Sequence, residues 1–341
     1  MRIATYNVEW FANLFDDGDV LRDDSGWSGR WDVTRAQQIA ALGTVFRAMD
    51  ADAIMVIEAP DAGPNHSTVK ALEHFAARFG LRARRAVMGF ANNTQQEIAL
   101  LYDPDALSAT HDPQGPQTDA KGAQGAPRFD GVLRIDLDVD ATEDKVVFSK
   151  PPLELAIQTR KGFHFRMIGA HLKSKAPHGA RNDAEAMKIA IANRRKQLAQ
   201  AIWLRARIDS QLGDNTPIML LGDLNDGPGL DEFEDLFGRS SVEIILDTQG
   251  DHPLYDPHAA RALSKRFGAV PTTSRFWIRP EKRFLQALLD YIMLCPGLRD
   301  HSPVWRIWHP LDDPKCWADP ELRQALVTAS DHFPVTVDID I

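Results

Sequence analysis

Apolar runs of strand length recur along the whole chain, and each is bordered by an acid, an amide or an imidazole. Ile3-Ala4-Thr5-Tyr6 leads into Asn7, Ala53-Ile54-Met55-Val56-Ile57 into Glu58, and Gly169-Ala170 into His171. Ile218-Met219-Leu220-Leu221 delivers Gly222-Asp223-Leu224-Asn225, and Asp290 borders Tyr291-Ile292-Met293-Leu294. The closing run Val335-Thr336-Val337 follows Ser330-Asp331-His332-Phe333-Pro334. Singly, Asp223 reads as a turn residue, Asn225 as an Asx-turn former and Glu58 as a helix-capping acid. Eight polar residues at strand ends have a common meaning, because strands carry their loops to a rim where distant positions converge. These residues come from the start, middle and end of the chain. One catalytic domain built from all of residues 1–341 is therefore expected, with insertions near 11–33, 103–128 and 250–283.

Helical periodicity appears between the strands. A helix is expected over about 34–49, with Ile39, Leu42, Phe46 and Met49 on one stripe, and another over about 183–209, with Met187, Ile191, Leu198 and Ile202 on one face. A third is expected near 67–79. Further strands are expected near 84–89, 98–102, 131–139, 153–159, 164–170, 289–295 and 334–340. Residues 11–33 read as a long acidic loop whose Trp27 and Trp31 pack into the interior. Residues 103–128, rich in Pro, Gly, Gln and Asp, read as a surface excursion. Strands outnumber helices, and a pair of sheets covered by outer helices satisfies both patterns.

No run of 18 residues lacks charge, so no membrane-spanning helix is expected. The chain passes from Met1-Arg2 straight into a strand, with no apolar leader, and cytoplasmic residence is the expectation. Two cysteines cannot cage zinc, and Cys295, after Tyr291-Ile292-Met293-Leu294, reads as a buried structural thiol. The net charge of −9 hides a strong asymmetry, because residues 158–208 hold twelve Lys or Arg against Asp183 and Glu185. A basic block beside acidic loops suits a polyanionic substrate. The adjacent Asp331 and His332 place a carboxylate beside an imidazole, as where a metal ligand meets a general base. Among the remaining histidines no metal-binding spacing appears, and His178 reads as a surface residue.

Tyr6-Asn7-Val8, Ile57-Glu58, Gly169-Ala170-His171-Leu172, Gly222-Asp223-Leu224-Asn225, Leu289-Asp290-Tyr291-Ile292 and Ser330-Asp331-His332-Phe333-Pro334 stand in this order along essentially the full chain. In that order they resemble the endonuclease/exonuclease/phosphatase superfamily, which includes deoxyribonuclease I, exonuclease III, inositol polyphosphate 5-phosphatases and neutral sphingomyelinases. The resemblance implies an α/β protein, a four-layer α/β/β/α sandwich of the deoxyribonuclease I type, and a phosphoric ester hydrolase dependent on Mg2+ or Mn2+. It implies Glu58 as the main metal ligand, assisted by Asn7 and Asp331; hard oxygen ligands suit either ion. It implies His332 as the general base, oriented by Asp290, with Asp223 and Asn225 aligning the nucleophile and the phosphoryl oxygens. His171 would serve the phosphate or leaving oxygen from the opposite side, held by Glu97. Lys150, Lys173 and Lys175 would contact substrate phosphates. Two departures stand out. Ile57 replaces the glutamine common before the metal-binding glutamate, so one hydrogen bond is expected to be lost. The 11–33 insertion also lengthens the path from Asn7 to Glu58.

His171 in its His-Leu setting matches the nuclease, 5-phosphatase and sphingomyelinase branches and departs from the exonuclease III-like abasic endonucleases. The run His-Leu-Lys-Ser-Lys resembles bacterial nuclease-like members. The expectation is a phosphodiesterase acting on nucleic acid, DNA first, with no stable protein partner implied. A phosphoinositide phosphatase or sphingomyelinase-type enzyme is the alternative, and it requires an apolar loop near the site, for which 303–317 with Trp305, Trp308 and Trp317 is the candidate. A catalytically silent binding protein would have lost ligands, and all eight positions are filled.

Overall fold

Strand β1 (Arg2–Asn7) is buried on both faces, and its side chains alternate between two cores as a period of two requires. Ile3 joins one core, and Ala4 and Tyr6 join the other. The structure is a computed structural model describing residues 1–137, 143–177, 179–228, 230, 238–264, 270–278 and 282–341.

Numbered along the chain, β1 lies in a six-stranded sheet in the order β14 (Val304–Ile307), β15 (Val335–Asp338), β1, β2 (Ala53–Ala59), β4 (Glu97–Tyr102) and β3 (Arg85–Met88). The second sheet has five strands in the order β13 (Asp290–Leu294), β10 (Ile218–Asp223), β9 (His164–His171), β8 (Leu153–Thr159) and β5 (Leu107–His111). Two short ladders, β6 (Leu133–Ile135) with β7 (Asp144–Val146) and β11 (Ser274–Ile278) with β12 (Arg283–Ala287), complete the β structure among the described residues.

Met55, Ile57 and Leu100 of the first sheet share a core with Leu155, Met167 and Leu220 of the second. Each such fully buried side chain contributes roughly 1.5–3 kcal/mol. Gly169 permits the close approach of the sheets, since a Cβ there would lie 2.4 Å from Met55 Sδ. Helices α1 (Arg35–Met49) and α2 (Thr68–Phe79), with the helix Pro320–Ala329, cover the outer face of the first sheet. Helix α3 (Asp183–Gly213) and the short helix Ser241–Leu246 cover the second. The result is the expected four-layer α/β/β/α arrangement. No helix among the described residues is long and apolar enough to cross a membrane.

Helix α1 follows the expected stripe, with Ile39, Leu42, Phe46 and Met49 all buried, and opens on a Thr34–Gln37 capping box. Helix α3 differs. Its Met187 is 55% exposed, and its buried side chains begin at Arg194 and include Trp203, Leu204 and Ile208. The fully buried positions lie in its later two-thirds, while Ile189 and Ile191 of the earlier turns are only half-buried among the described residues.

Part of the basic block of 158–208 is turned inward, while Arg160, Lys161, Arg181 and Lys188 are exposed. Arg166 pairs with Asp112 at 2.6 Å, Arg194 with Asp226 at 3.1 Å, Arg207 with Glu154 at 2.5 Å, and Arg205 with Asp209. Arg207 also donates to the carbonyls of Ala126 and Pro127, at 2.7 and 3.0 Å, and Trp203 donates to Pro127 at 2.8 Å. These bonds fasten the 103–128 segment to α3. That segment is not wholly a surface excursion, because it supplies β5, which pairs with β8 at the edge of the second sheet.

In the 11–33 insertion Phe11, Leu14 and Phe15 take the interior places, with Phe11 against Phe75. Trp27 and Trp31 are 70% and 87% exposed, which corrects the expectation that they pack inside. Trp308 is buried and Trp305 donates its indole N–H to Ile292, while Trp317 is exposed beneath Arg323. Cys295 is buried and its Sγ accepts from the Ile218 amide, as befits a structural thiol. His178 lies outside the described residues, as do parts of the 131–139 and 250–283 segments.

Arg207 and Glu154 are both almost fully buried, so removing one partner strands the other's charge in the core. Arg207→Ala is expected to lose about 3–5 kcal/mol of stability. Urea unfolding followed by circular dichroism checks this, and a loss below about 1 kcal/mol would contradict it.

Candidate active site

Parallel pairing of β10 with β9 and antiparallel pairing with β13 set His171, Asp223 and Asp290 side by side on three neighbouring strands. Asn7 ends β1 beside Ile57 of β2, and the next residue on β2 is Glu58. Glu58 sits at a register shift in the pairing of β2 with β4, with φ +58°. A bulge with a left-handed non-glycine residue turns a side chain off the sheet at a cost in backbone strain. Gly222 is required one residue before Asp223: its φ is +136°, and a Cβ would fall 2.0 Å from the Ala170 carbonyl oxygen. Asn225 turns the chain at φ +49°, a conformation asparagine tolerates.

The buried Asp223 carboxylate is the meeting point. Its Oδ2 accepts from Asn7 Nδ2 at 3.0 Å and from Asn225 Nδ2 at 3.3 Å, and its Oδ1 accepts from the Asn225 amide at 2.8 Å. Two imidazoles approach the same Oδ2, His171 Nε2 at 3.6 Å and His332 Nε2 at 3.9 Å. The other nitrogen of His332, Nδ1, lies 2.8 Å from Asp290 Oδ2, which leaves Nε2 facing the site. Ser330 Oγ donates to the Asn7 carbonyl at 2.8 Å and accepts from the His332 amide at 3.1 Å, tying β1 to the His332 segment. Lys150 Nζ stands 3.2 and 3.3 Å from the two ring nitrogens of His171.

Burial and charge set the protonation states. Burial, reinforced by Asp290, pushes the Asp223 carboxyl up to about 7, against the opposing pull of His332. Burial opposes a charge on His332, yet Asp290, Asp223 and Asp331 overcome it and hold the imidazole pKa well above its usual range. His171 moves the other way, lowered by burial, by Lys150 and by His332. Burial raises Glu58 despite Lys150 and His332 nearby, and it lowers Lys150 despite Glu58 and Asp223. Burial lowers Lys196 as well, and the charge of Lys173 adds a smaller downward push on both lysines.

Asn7, Glu58, Lys150, His171, Asp223, Asn225, Asp290, Asp331 and His332 therefore converge. Two expected members do not. Glu97 is held by Asn92, whose amide and Nδ2 donate to its two oxygens at 3.2 and 2.6 Å, so it closes the 92–96 turn, while Lys150 is the group beside His171. Lys175 is committed to buried Asp226, 2.6 Å away, rather than to the open phosphate path. Other residues carried no motif to single them out. Gln96 donates to Glu58 Oε2 at 2.7 Å, so an amide still contacts the glutamate although Ile57 replaces the usual neighbour. Gln197 of α3 donates to the carbonyls of Lys173 and Asn225, both at 2.9 Å, and Gln200 accepts from the Lys173 amide at 2.9 Å. Asp226 takes Lys175, Arg194 and the amides of Gly227 and Ser241, anchoring the turn after Asn225.

The donor set fits a hard divalent cation. Asn7 Oδ1 is buried with no hydrogen-bond partner among the described residues, and burial disfavours the bare charge of Glu58. An orphaned amide oxygen beside a buried carboxylate is the chemistry that an oxygen-seeking cation satisfies. Among the described residues, Asp223, Asp290 and His332 also place donor atoms within 4.8 Å of one another, although His332 Nδ1 is engaged by Asp290.

Two stacked sheets with outer helices, and a rim of carboxylates, amides and histidines at the strand ends, define a class of phosphoester hydrolases. The sequence profile of the Endonuclease/Exonuclease/phosphatase family matches residues 4–332, and the chain belongs to that family. No curated protein matches the sequence. Solved structures of similar fold include a truncated TDP2 from Caenorhabditis elegans, at 11% identity and TM-score 0.52, covering 100% of this chain and 97% of that one. A 3'-5' exonuclease (NExo) from Neisseria meningitidis is similar at 14% identity and TM-score 0.50, with 100% of both chains covered. An endonuclease/exonuclease/phosphatase family protein from Bacteroides thetaiotaomicron is similar at 15% identity and TM-score 0.51, covering 99% and 96%.

Burial raises the Glu97 carboxyl from 4.5 to about 7. The folded state thus holds a proton that the unfolded chain releases, and the associated stability, complete below pH 4.5, is lost as pH rises through 7. Glu97→Gln mimics the protonated form. Its melting temperature is expected to fall less than that of the wild type between pH 4.5 and 7, as scanning calorimetry at several pH values would show. Parallel curves for the two proteins would contradict this.

Proposed function

We propose that the protein is a metal-dependent phosphodiesterase that hydrolyses nucleic acid, DNA first, by in-line attack of an activated water. The observation that carries this reading is the opposition of two groups across Asp223: the His332–Asp290 pair on one side, and His171 with Lys150 on the other. In this reading His332 Nε2 takes the proton of the attacking water while Asp290 holds Nδ1. Asp223 accepts a hydrogen bond from the water and orients it, and Asn225 donates to the phosphoryl oxygens as negative charge builds. The phosphorus–oxygen bond opposite the new one breaks, its electron pair stays on the departing oxygen, and the Lys150 ammonium and the His171 N–H stabilise that negative charge until the oxygen takes up a proton. The lowered pKa of His171 keeps it neutral and able to donate through one N–H.

Glu58, Asn7 and Asp331 would hold Mg2+ or Mn2+. A cation bound there would offset the carboxylate charge that keeps His332 protonated and would polarise the phosphoryl oxygen. The Lys150 ammonium beside His171 supports a polyanionic substrate, as does the presence of a 3'-5' exonuclease among proteins of the same fold. Lys175 takes a different part from the one expected, as a half-buried partner of Asp226 at the turn that presents Asn225. Of the residues that carry the lipid alternative, Trp308 is buried and Trp305 is tied to the Ile292 carbonyl, while Trp317 stays exposed beneath Arg323.

His332→Ala and Asp223→Ala are each expected to lower hydrolysis of plasmid or single-stranded DNA by about 10²–10⁴-fold while the fold persists. Near-normal turnover by either variant, measured with saturating Mg2+, sinks the assignment. Chelation should abolish activity and added Mg2+ or Mn2+ restore it; turnover that survives complete metal removal contradicts the metal-dependent reading. Lys173→Ala is expected to reduce the slope of log affinity against log salt by about one ion. Lys175→Ala is expected to act mainly on stability.

A further inference from the structure

The β11–β12 hairpin presents two different faces. Its inner face supports the site: Ser274 pairs with His332, the Arg275 amide donates to the Asp331 carbonyl at 2.8 Å, and the Phe276 ring meets the His332 imidazole edge-on at 5.5 Å. Its outer face carries Trp277 and Phe284, directly opposite each other in the ladder and 51% and 45% exposed. The two rings meet edge to face at 5.0 Å, and the Arg275 guanidinium lies 3.7 Å from the Phe284 centroid. Two large aromatic rings, locked against each other and against a guanidinium, form a rigid π surface left open to solvent. Scattered single apolar residues on a surface call for no explanation, but a fixed aromatic pair beside a catalytic rim does.

We propose that this outer face, Trp277 with Phe284 and Arg275, stacks a base of a single-stranded segment of the substrate close to the bond that is cut. The inference rests on the nuclease reading and names the substrate form that reading leaves open. Trp277 lies three residues along the strand from the Ser274–His332 pairing, about 10 Å at the rise of a β-strand. Base–aromatic stacking tolerates any sequence because every base has a π face, and a neighbouring cation adds attraction to the phosphate backbone. Charge on the hairpin matches that partner, with Arg275 on the platform and Lys282 and Arg283 at the start of the returning strand. Positive charge alone would also attract an anionic lipid surface, and the joining sequence separates the two partners. The sequence joining the two strands, Arg279-Pro280-Glu281-Lys282, offers no apolar residue other than proline to lead an insertion, and burying its charges in hydrocarbon is costly.

The test compares hydrolysis of a single-stranded oligonucleotide with that of an oligonucleotide of equal length and charge whose interior positions lack bases. Wild type, Trp277→Ala, Phe284→Ala and Trp277→Tyr are measured with Mg2+ present. The alanine variants are expected to raise KM on the normal strand about tenfold with little change in kcat, and to leave the base-free strand unaffected. Trp277→Tyr is expected to restore KM, which separates stacking from damage to the hairpin. Equal KM values for all four proteins on the normal strand overturn the platform while leaving the nuclease reading intact. A KM rise of the same size on both strands also overturns it. If the wild type cuts no nucleic acid and instead binds phosphatidylcholine–phosphatidylserine vesicles through Trp277, both the nuclease reading and the platform fall.

Discussion

Everything at the rim is arranged around a carboxylate that water does not reach. Asp223 is buried at the end of a central strand, where an unsatisfied charge would cost several kcal/mol. Asn7 and Asn225 supply its hydrogen bonds, and His171 and His332 approach within 4 Å. Those partners come from β1, from the turn after β10, from β9 and from the segment before β15, so both sheets contribute. Stacking the sheets and solvating this one group are the same structural problem. The residual burial shows in the carboxyl's raised pKa, while Asp290, Asp223 and Asp331 raise that of the imidazole facing it against the effect of burial.

Such a site requires backbone that would not form alone. Glu58 and Asn225 both adopt left-handed conformations, and each is held by groups distant in sequence. Glu58 lies on a bulge braced by Gln96, and Asn225 on a turn anchored through Asp226 to Arg194, Lys175 and the Ser241 amide. Gln197 and Gln200 pin the two site loops to α3 from behind. Strain of this kind, roughly 1–3 kcal/mol per residue, persists only where the surroundings overdetermine it. The glutamines, the arginine and Asp226 serve that purpose.

Much of the architecture was legible in the residues. Doubly buried strands read as continuous apolar runs, and a polar residue breaking such a run at its end is conspicuous. That is why Asn7, Glu58, His171, Asp223, Asp290 and His332 could all be found, together with a two-sheet arrangement. Strand β5 was hidden because its pattern is short and lies among Pro and Gly; its stability comes from pairing with β8. Trp27 and Trp31 misled because a large ring is usually buried, and here Phe11, Leu14 and Phe15 already occupy the interior. Arg166, Arg194 and Arg207 of the basic block looked like surface charges because the acids that pair with them, Asp112, Asp226 and Glu154, lie far away in sequence.

The sequence alone determined the layered α/β class, the order of the strands that bear the site and the types of group at their ends, since these depend on local periodicity and residue chemistry. Tertiary structure decided which partner each group received. It set Lys150 rather than Glu97 beside His171, turned Lys175 inward to Asp226, brought Gln96 to Glu58 and laid the β11–β12 hairpin against His332. Each of those choices depends on distances of a few ångströms between residues tens or hundreds of positions apart. Only the packing of the two sheets and their helices sets those distances.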